Sequence, residues 1–209
     1  MTPLHRLAGI VLVLAGAGNV LAQSPVPAPP QAPGPAAAPL IDSRCALCHG
    51  RQGESASAIY PRLAAQHPDY LAKQLRDFRD GRRVAEPMNE MAQDLNDKQV
   101  AELAAWFASR PAVSRRTLDA DLATMGRYLY ANGNRFSGVP ACASCHGDTG
   151  HGTQALPRLA GQHPAYLTTQ LQDFGKRART NDNAIMHSVA SRLTELEIHA
   201  ITTYLGGQE

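Results

Sequence analysis

The second half of this chain repeats the first, and each copy carries one five-residue Cys-x-x-Cys-His segment. Cys45-Ala46-Leu47-Cys48-His49 returns as Cys142-Ala143-Ser144-Cys145-His146. The two segments use all 4 cysteines of the 209-residue chain. Further along each copy, Pro61-Arg62-Leu63-Ala64-Ala65-Gln66-His67-Pro68 returns as Pro157-Arg158-Leu159-Ala160-Gly161-Gln162-His163-Pro164. Tyr70-Leu71, Gln74-Leu75 and Asp77-Phe78 return as Tyr166-Leu167, Gln170-Leu171 and Asp173-Phe174. A repeat this long, with its own cysteine segment in each copy, requires two tandem domains of one fold.

The pattern within each copy is helical. Tyr70, Leu71, Leu75 and Phe78 share a face of a helix over 69–79, opened by Pro68 and ended at Gly81. Its copy covers 165–174. Asn96 is placed to cap a helix through Ser109, and Thr194 its copy through Leu205. Asp119 or Asp121 opens one more helix, carrying Leu122, Met125, Leu129 and Tyr130. No long alternating strand pattern is present, so the expected class is all-α. The expected boundaries are a first domain over 40–109, a linker over 110–118 and a second domain over 119–209.

The segment ahead of the repeat reads as export machinery. His5 and Arg6 precede an uncharged apolar run from Leu7 to Val20, and Val20-Leu21-Ala22 offers a cleavage site. The run is shorter than the ~20 residues of a spanning helix. A secretory signal over 1–22 and an export to the periplasm are therefore expected. Residues 23–39 are proline-rich and read as an extended tether, tolerant of deletion between 24 and 38.

Cys-x-x-Cys-His is the attachment signature of c-type haem. The thiols of Cys45, Cys48, Cys142 and Cys145 add to the porphyrin vinyl groups, and His49 and His146 reach the iron. Two covalently bound haem c groups are expected, and they would supply core that units of 70–90 residues lack. The apoprotein is accordingly expected to be poorly stable. A zinc site is a weaker reading, because each segment offers three ligands and structural zinc takes four.

The opposite axial ligand is read from register. Met88 lies seven residues before Leu95, and Met186 seven before Leu193. They are taken as the sixth ligands; Met91 aligns with Val189, and His187 adjoins Met186 as a competitor. Met/His ligation raises the haem potential and leaves no open position on either iron. Such a protein moves single electrons and is not an enzyme. Arg62 and Arg158 are the candidates for pairing with haem propionates. His67 and His163 read as helix-start or interface residues. The clusters Arg79, Arg82, Arg83 and Lys176, Arg177, Arg179 read as solvated or docking surface. With 20 basic and 18 acidic residues, dispersed along the chain, nothing supports nucleic-acid binding.

Over residues 41–209 the sequence resembles the cytochrome c4 family of dihaem electron carriers. The resemblance rests on both Cys-x-x-Cys-His segments, the repeated P-R-L-A-x-Q-H and Y-L-x-x-Q-L-x-D-F stretches, Arg179-Thr180-Asn181-Asp182, and Met186 ahead of Leu193. It implies two class I cytochrome c domains related by a pseudo-twofold axis, with propionates facing the interface. In class I domains a proline carbonyl orients the proximal histidine, a role that falls to Pro61 and Pro157. The resemblance further implies a quinol-oxidising complex as donor and a terminal oxidase as acceptor, with peripheral membrane association among the expected contacts. The competing expectations are the dihaem subunit of a flavocytochrome c sulfide dehydrogenase and a dihaem peroxidase. The first unit departs from the pattern in two ways. Its helix before Cys45 must be short, and its loop from Phe78 to Met88 is two residues shorter than that from Phe174 to Met186. Both imply a more exposed first haem.

Overall fold

The computed structural model describes residues 32–113 and 119–209. An irregular helix, α1, runs over residues 38–49 as an α turn, a π segment over Ile41–Cys45 and a last α turn ending at His49. The first domain continues with α2 (Pro68–Arg79), α3 (Met88–Ala92) and α4 (Asp97–Ala108). The second contains α5 (Ala120–Asn132), α6 (Ala143–His146), α7 (Pro164–Gly175), α8 (Ile185–Ala190) and α9 (Glu195–Gly206). The described residues form no sheet; one isolated bridge joins Asn134 to Val139.

The helix starts follow from local chemistry. Asn96 accepts from the Gln99 amide while the Gln99 side chain accepts from the Asn96 amide, and Thr194 with Glu197 forms the same reciprocal box. Asp119 caps α5 through the Leu122 amide at 2.8 Å. Pro68 and Pro164 occupy the first helical position, where a missing N–H costs nothing.

Packing differs between the domains. In the first, α2 lies against α4, and Leu71, Phe78, Val100, Leu103, Trp106 and Phe107 are buried with Ala37 and Ile41 of the leading segment. In the second, α5 crosses α9 and α7 lies beside it, around a smaller cluster of Tyr130, Leu167, Ile201 and Leu205. The α5–α9 crossing is close because position 126 is glycine: a Cβ there would stand 1.9 Å from the Ala200 carbonyl oxygen.

The tether boundary expected at residue 39 is corrected. Ala37 is 0% exposed, and the Glu102 carboxylate accepts from the amides of Ala36 (2.8 Å) and Ala37 (3.0 Å). The packed domain therefore includes these residues, because α4 needs an apolar partner on this face and its Glu102 holds the chain there. The signal segment and most of the tether lie outside the described residues, as does the linker over 114–118. No helix among the described residues is long and apolar enough to cross a membrane.

Candidate haem sites

The two Cys-x-x-Cys-His segments end α1 and form α6, so each histidine closes a short helical turn. His49 and His146 are buried. The His49 Nδ1 lies 2.9 Å from the Pro61 carbonyl oxygen, and the His146 Nδ1 lies 3.3 Å from that of Pro157. A carbonyl only accepts, so Nδ1 carries the proton and Nε2 keeps its lone pair for a metal. Burial lowers both histidine pKa values, against an opposing pull from the proline carbonyl, which favours the neutral ligating form.

The chain returns to the histidine through a matched turn. The Gly53 carbonyl accepts from Leu63 and Ala64, and the Gly150 carbonyl from Leu159 and Ala160. Both glycines have φ of +75°, which suits a residue without a side chain. At Gly53 a Cβ would also approach the Ala64 amide to 2.8 Å.

No disulfide joins any of the four cysteines. Cys45 and Cys142 are largely buried, and burial pushes an unattached thiol at either place up to about 11. Met88 opens α3 and Met186 lies in the first turn of α8, both half-buried. Each methionine loop is tied to the preceding helix at an equivalent point. In the first domain Asn89 Nδ2 donates to the Phe78 carbonyl at 2.9 Å; in the second His187 Nδ1 stands 3.0 Å from the Phe174 carbonyl. His187 thus holds the loop in place, the task of an amide in the other copy.

Large apolar side chains stand exposed beside these residues: Ile59 and Val84 in the first domain, Leu156 and Ile185 in the second. Their recurrence near the proline and methionine of each copy leaves apolar surface there for a covering group. With the free Nε2 atoms and paired thiols, it fits a haem at each site. One difference is local. The Tyr60 ring packs edge-on to His49 with centres 6.1 Å apart, and the second domain has Leu156 at the matching position.

Arg62 and Arg158, the expected propionate partners, stand at the pseudo-twofold contact between the domains. Each donates its amide across the dyad to a glutamine oxygen, Arg62 to Gln162 Oε1 and Arg158 to Gln66 Oε1, both at 2.8 Å. Those glutamines donate back to the carbonyls of Arg62 and Arg158, at 2.9 Å each. The Arg62 guanidinium donates to the Gly161 carbonyl and, at 3.4 Å, to that of Val113; Arg158 Nε donates to its neighbour Ala160. His67 and His163 also cross the dyad, to the carbonyls of His151 (2.7 Å) and Ser55 (2.9 Å), in keeping with their reading as interface residues.

Two arginines read as surface are not surface. Arg83 and Arg179 are buried between the domains, whereas Arg82, Lys176 and Arg177 are exposed. The signal for them was the repeat itself. Tyr70, Gln74 and Arg83 recur as Tyr166, Gln170 and Arg179, and polar side chains retained at matched positions on amphipathic helices mark a shared polar contact.

Comparison with known proteins agrees with this geometry. The family model described as Cytochrome c matches residues 124–208, and that described as Cytochrome C oxidase, cbb3-type, subunit III matches residues 32–107. Cytochrome c4 of Thiocapsa roseopersicina is 45% identical over 167 residues, covering 78% of this chain and 86% of the relative. The crystal structure of reduced recombinant cytochrome c4 from Pseudomonas stutzeri aligns with a TM-score of 0.78 at 34% identity, over 83% of this chain and 98% of that one. A thiosulfate dehydrogenase electron acceptor of Thiomonas intermedia is 36% identical over 178 residues, 83% of this chain and 82% of the relative. Two class I domains, each built for a covalent haem c, define a dihaem c-type cytochrome that carries electrons. The chain belongs to the cytochrome c4 family.

Proposed function

We propose that each domain binds its haem through Cys45 and Cys48 or Cys142 and Cys145, with His49 and Met88 or His146 and Met186 as axial ligands. A haem so held supplies one-electron exchange between ferrous and ferric iron. Pro61 and Pro157 fix the tautomer and plane of the proximal imidazoles. Asn89 and His187 hold the methionine loops against α2 and α7. The observation that carries this reading is the doubled one: the same His–Pro contact and the same tether to a phenylalanine carbonyl recur in both domains. With both axial positions filled from the chain, the protein is a carrier and not an enzyme, which argues against the peroxidase reading.

In this reading the chain is exported with a cleaved leader and carries electrons in the periplasm from a quinol-oxidising complex to a terminal oxidase. A donor that oxidises sulfur compounds is the second reading, favoured by the match to a thiosulfate dehydrogenase electron acceptor. The flavocytochrome expectation is a third reading, and co-purification with a flavin-containing subunit would support it. Rapid reduction of the holoprotein by a quinol-oxidising complex, with none by a thiosulfate-oxidising enzyme, supports the first reading; the reverse supports the second.

The ligand assignment has its own test. Met186→Ala removes about half of the ferric sulfur-to-iron near-infrared band and lowers one of two potentials, because a thioether donor is lost. An unchanged band contradicts Met186 as ligand.

A further inference from the structure

Ser55 is fully buried and has a φ of +42°, in the left-handed region that a serine seldom adopts. Its amide donates to the carbonyl of His49 at 2.9 Å. Its hydroxyl stands 2.9 Å from the carbonyl of Tyr60 and 3.4 Å from that of Cys48. Tyr60 precedes Pro61, whose carbonyl accepts from His49 Nδ1. One serine thus ties the start of the loop beneath His49 to its end. A backbone in such a conformation persists only where its surroundings fix it.

Part of that fixing comes from the other domain. His163 Nε2 lies 2.9 Å from the Ser55 carbonyl oxygen, and this contact is buried. A carbonyl only accepts, so Nε2 carries the proton and donates. His163 is itself held at the start of α7, where its amide donates to Gln162 Oε1 at 3.0 Å. The repeat contains an exposed version of the same contact. Gly152, which matches Ser55, donates its amide to the His146 carbonyl at 2.8 Å. His67 Nε2 lies 2.7 Å from the carbonyl of His151, one residue out of register and open to solvent. Gly152 also lacks a hydroxyl, and a Cβ there would stand 2.4 Å from the Leu156 carbonyl oxygen. The second loop therefore closes on itself, while the first closes through a serine held from across the dyad.

We infer that His163, in the second domain, is a positioning residue for the haem of the first. The inference rests on the dihaem reading and on His49 as the proximal ligand. By holding Ser55, the His163 donor keeps the loop over 50–61 closed, and with it the approach of the Pro61 carbonyl to His49 Nδ1. That hydrogen bond makes the imidazole the more basic ligand. A looser loop weakens the bond, and a less basic ligand stabilises ferric iron less, so the potential of the first haem rises. The second haem has only the exposed contact, where water competes for the same groups. The coupling therefore runs mainly from the second domain to the first iron.

The test uses the ferrous holoprotein with isotope-labelled histidine rings. Haem per polypeptide is measured first, so that a failure of the dihaem reading is seen separately from a failure of the His163 role. In the wild type, NMR should show a proton on His163 Nε2 that is protected from exchange; a bare Nε2 overturns the inference before any variant is made. His163→Ala should raise the potential of the first haem and quicken Nδ1–H exchange at His49 about tenfold, the equivalent of one lost neutral hydrogen bond. His49 is recognised by its contact with the Tyr60 ring. His163→Gln, which keeps an N–H donor of similar reach, should restore most of both changes. Tyr166→Phe removes a different contact between the domains, the one from Arg83 to the Tyr166 hydroxyl, and should leave His49 as it is. Unchanged His49 exchange in His163→Ala, a change confined to the second haem, no rescue by glutamine, or an equal effect of Tyr166→Phe would overturn the role. If His163→Ala does not fold, His163→Asn, whose amide is too short to reach Ser55, takes its place with the same expected result.

Discussion

The two domains share a motif and a fold but brace their haem segments differently. In the first, α1 runs without a break into Cys45, and its leading turn rests on α4 through Ala37 and Ile41. Arg44, beside the cysteine, reaches Asp94 at 2.8 Å and the Met91 carbonyl at 3.4 Å, linking the haem segment to the methionine side. In the second, the whole of α5 crosses α9 at Gly126, and a loop over 133–142 separates it from Cys142. The brace there runs the other way: Arg192, after α8, donates to the Gly138 carbonyl at 2.7 Å. One covalent fixture thus tolerates two different supports, provided that the cysteine segment and the methionine loop are tied together. The short first helix is compensated by a buried segment ahead of it.

The largest effects should come from breaking each brace. Gly126→Ala places a Cβ into the Ala200 carbonyl and should cost about 3 kcal/mol or more, since the obstacle is backbone. Ile41→Ala removes a buried side chain and should cost about 2–4 kcal/mol. Urea unfolding of the holoprotein, followed at both haem bands, checks both numbers. Each change should destabilise its own domain first; a loss shared equally would show that the domains unfold as one unit.

A mid-sized effect separates two matched acids. Asp77 is buried and bound by Lys73, Arg82 and Asn181, and these bonds hold its carboxyl below the usual carboxylate range against the cost of burial. A lowered folded-state value gives stability that is present above the unfolded value near ~4 and lost as pH falls toward the folded one. Asp77→Asn should therefore cost about 1–3 kcal/mol at pH 7 and flatten the stability profile below ~pH 4. Asp173 has Thr169 and Ala178 where Asp77 has Lys73 and Arg82. Asp173→Asn should change stability by less than about 0.5 kcal/mol. Equal losses would erase this asymmetry.

The smallest effect concerns the N-terminal segment. Deleting 24–31 should leave both haem spectra and the unfolding midpoint unchanged. Extending the deletion through Ala38 should lower the midpoint of the first domain alone, because Ala37 and the Glu102 contacts go with it. An effect of the short deletion would show that the tether belongs to the folded unit.

Much of this was legible in the sequence, for reasons that differ by residue. The helices at 68–79 and 97–108 carry their own periodicity and caps, so their limits were readable within a residue or two. The histidines announced themselves by two cysteines each, and the prolines by their place in the repeat. The interface arginines did not. Arg83 sits among Arg79 and Arg82, and a basic cluster is usually solvated; only the second domain's surface decides that one of the three is buried. Ala37 was hidden for a related reason, since the proline-rich run before it looks like a spacer until α4 supplies a face to cover.

The central claim is that both domains hold a six-coordinate covalent haem and exchange single electrons. A spectropotentiometric titration of the purified holoprotein, with pyridine haemochrome on the same sample, tests it most directly. The account predicts two haems per polypeptide, two one-electron transitions of unequal potential, and low-spin spectra that do not change with carbon monoxide in the ferrous form. One haem per chain, or one ferrous haem that binds carbon monoxide, would contradict it.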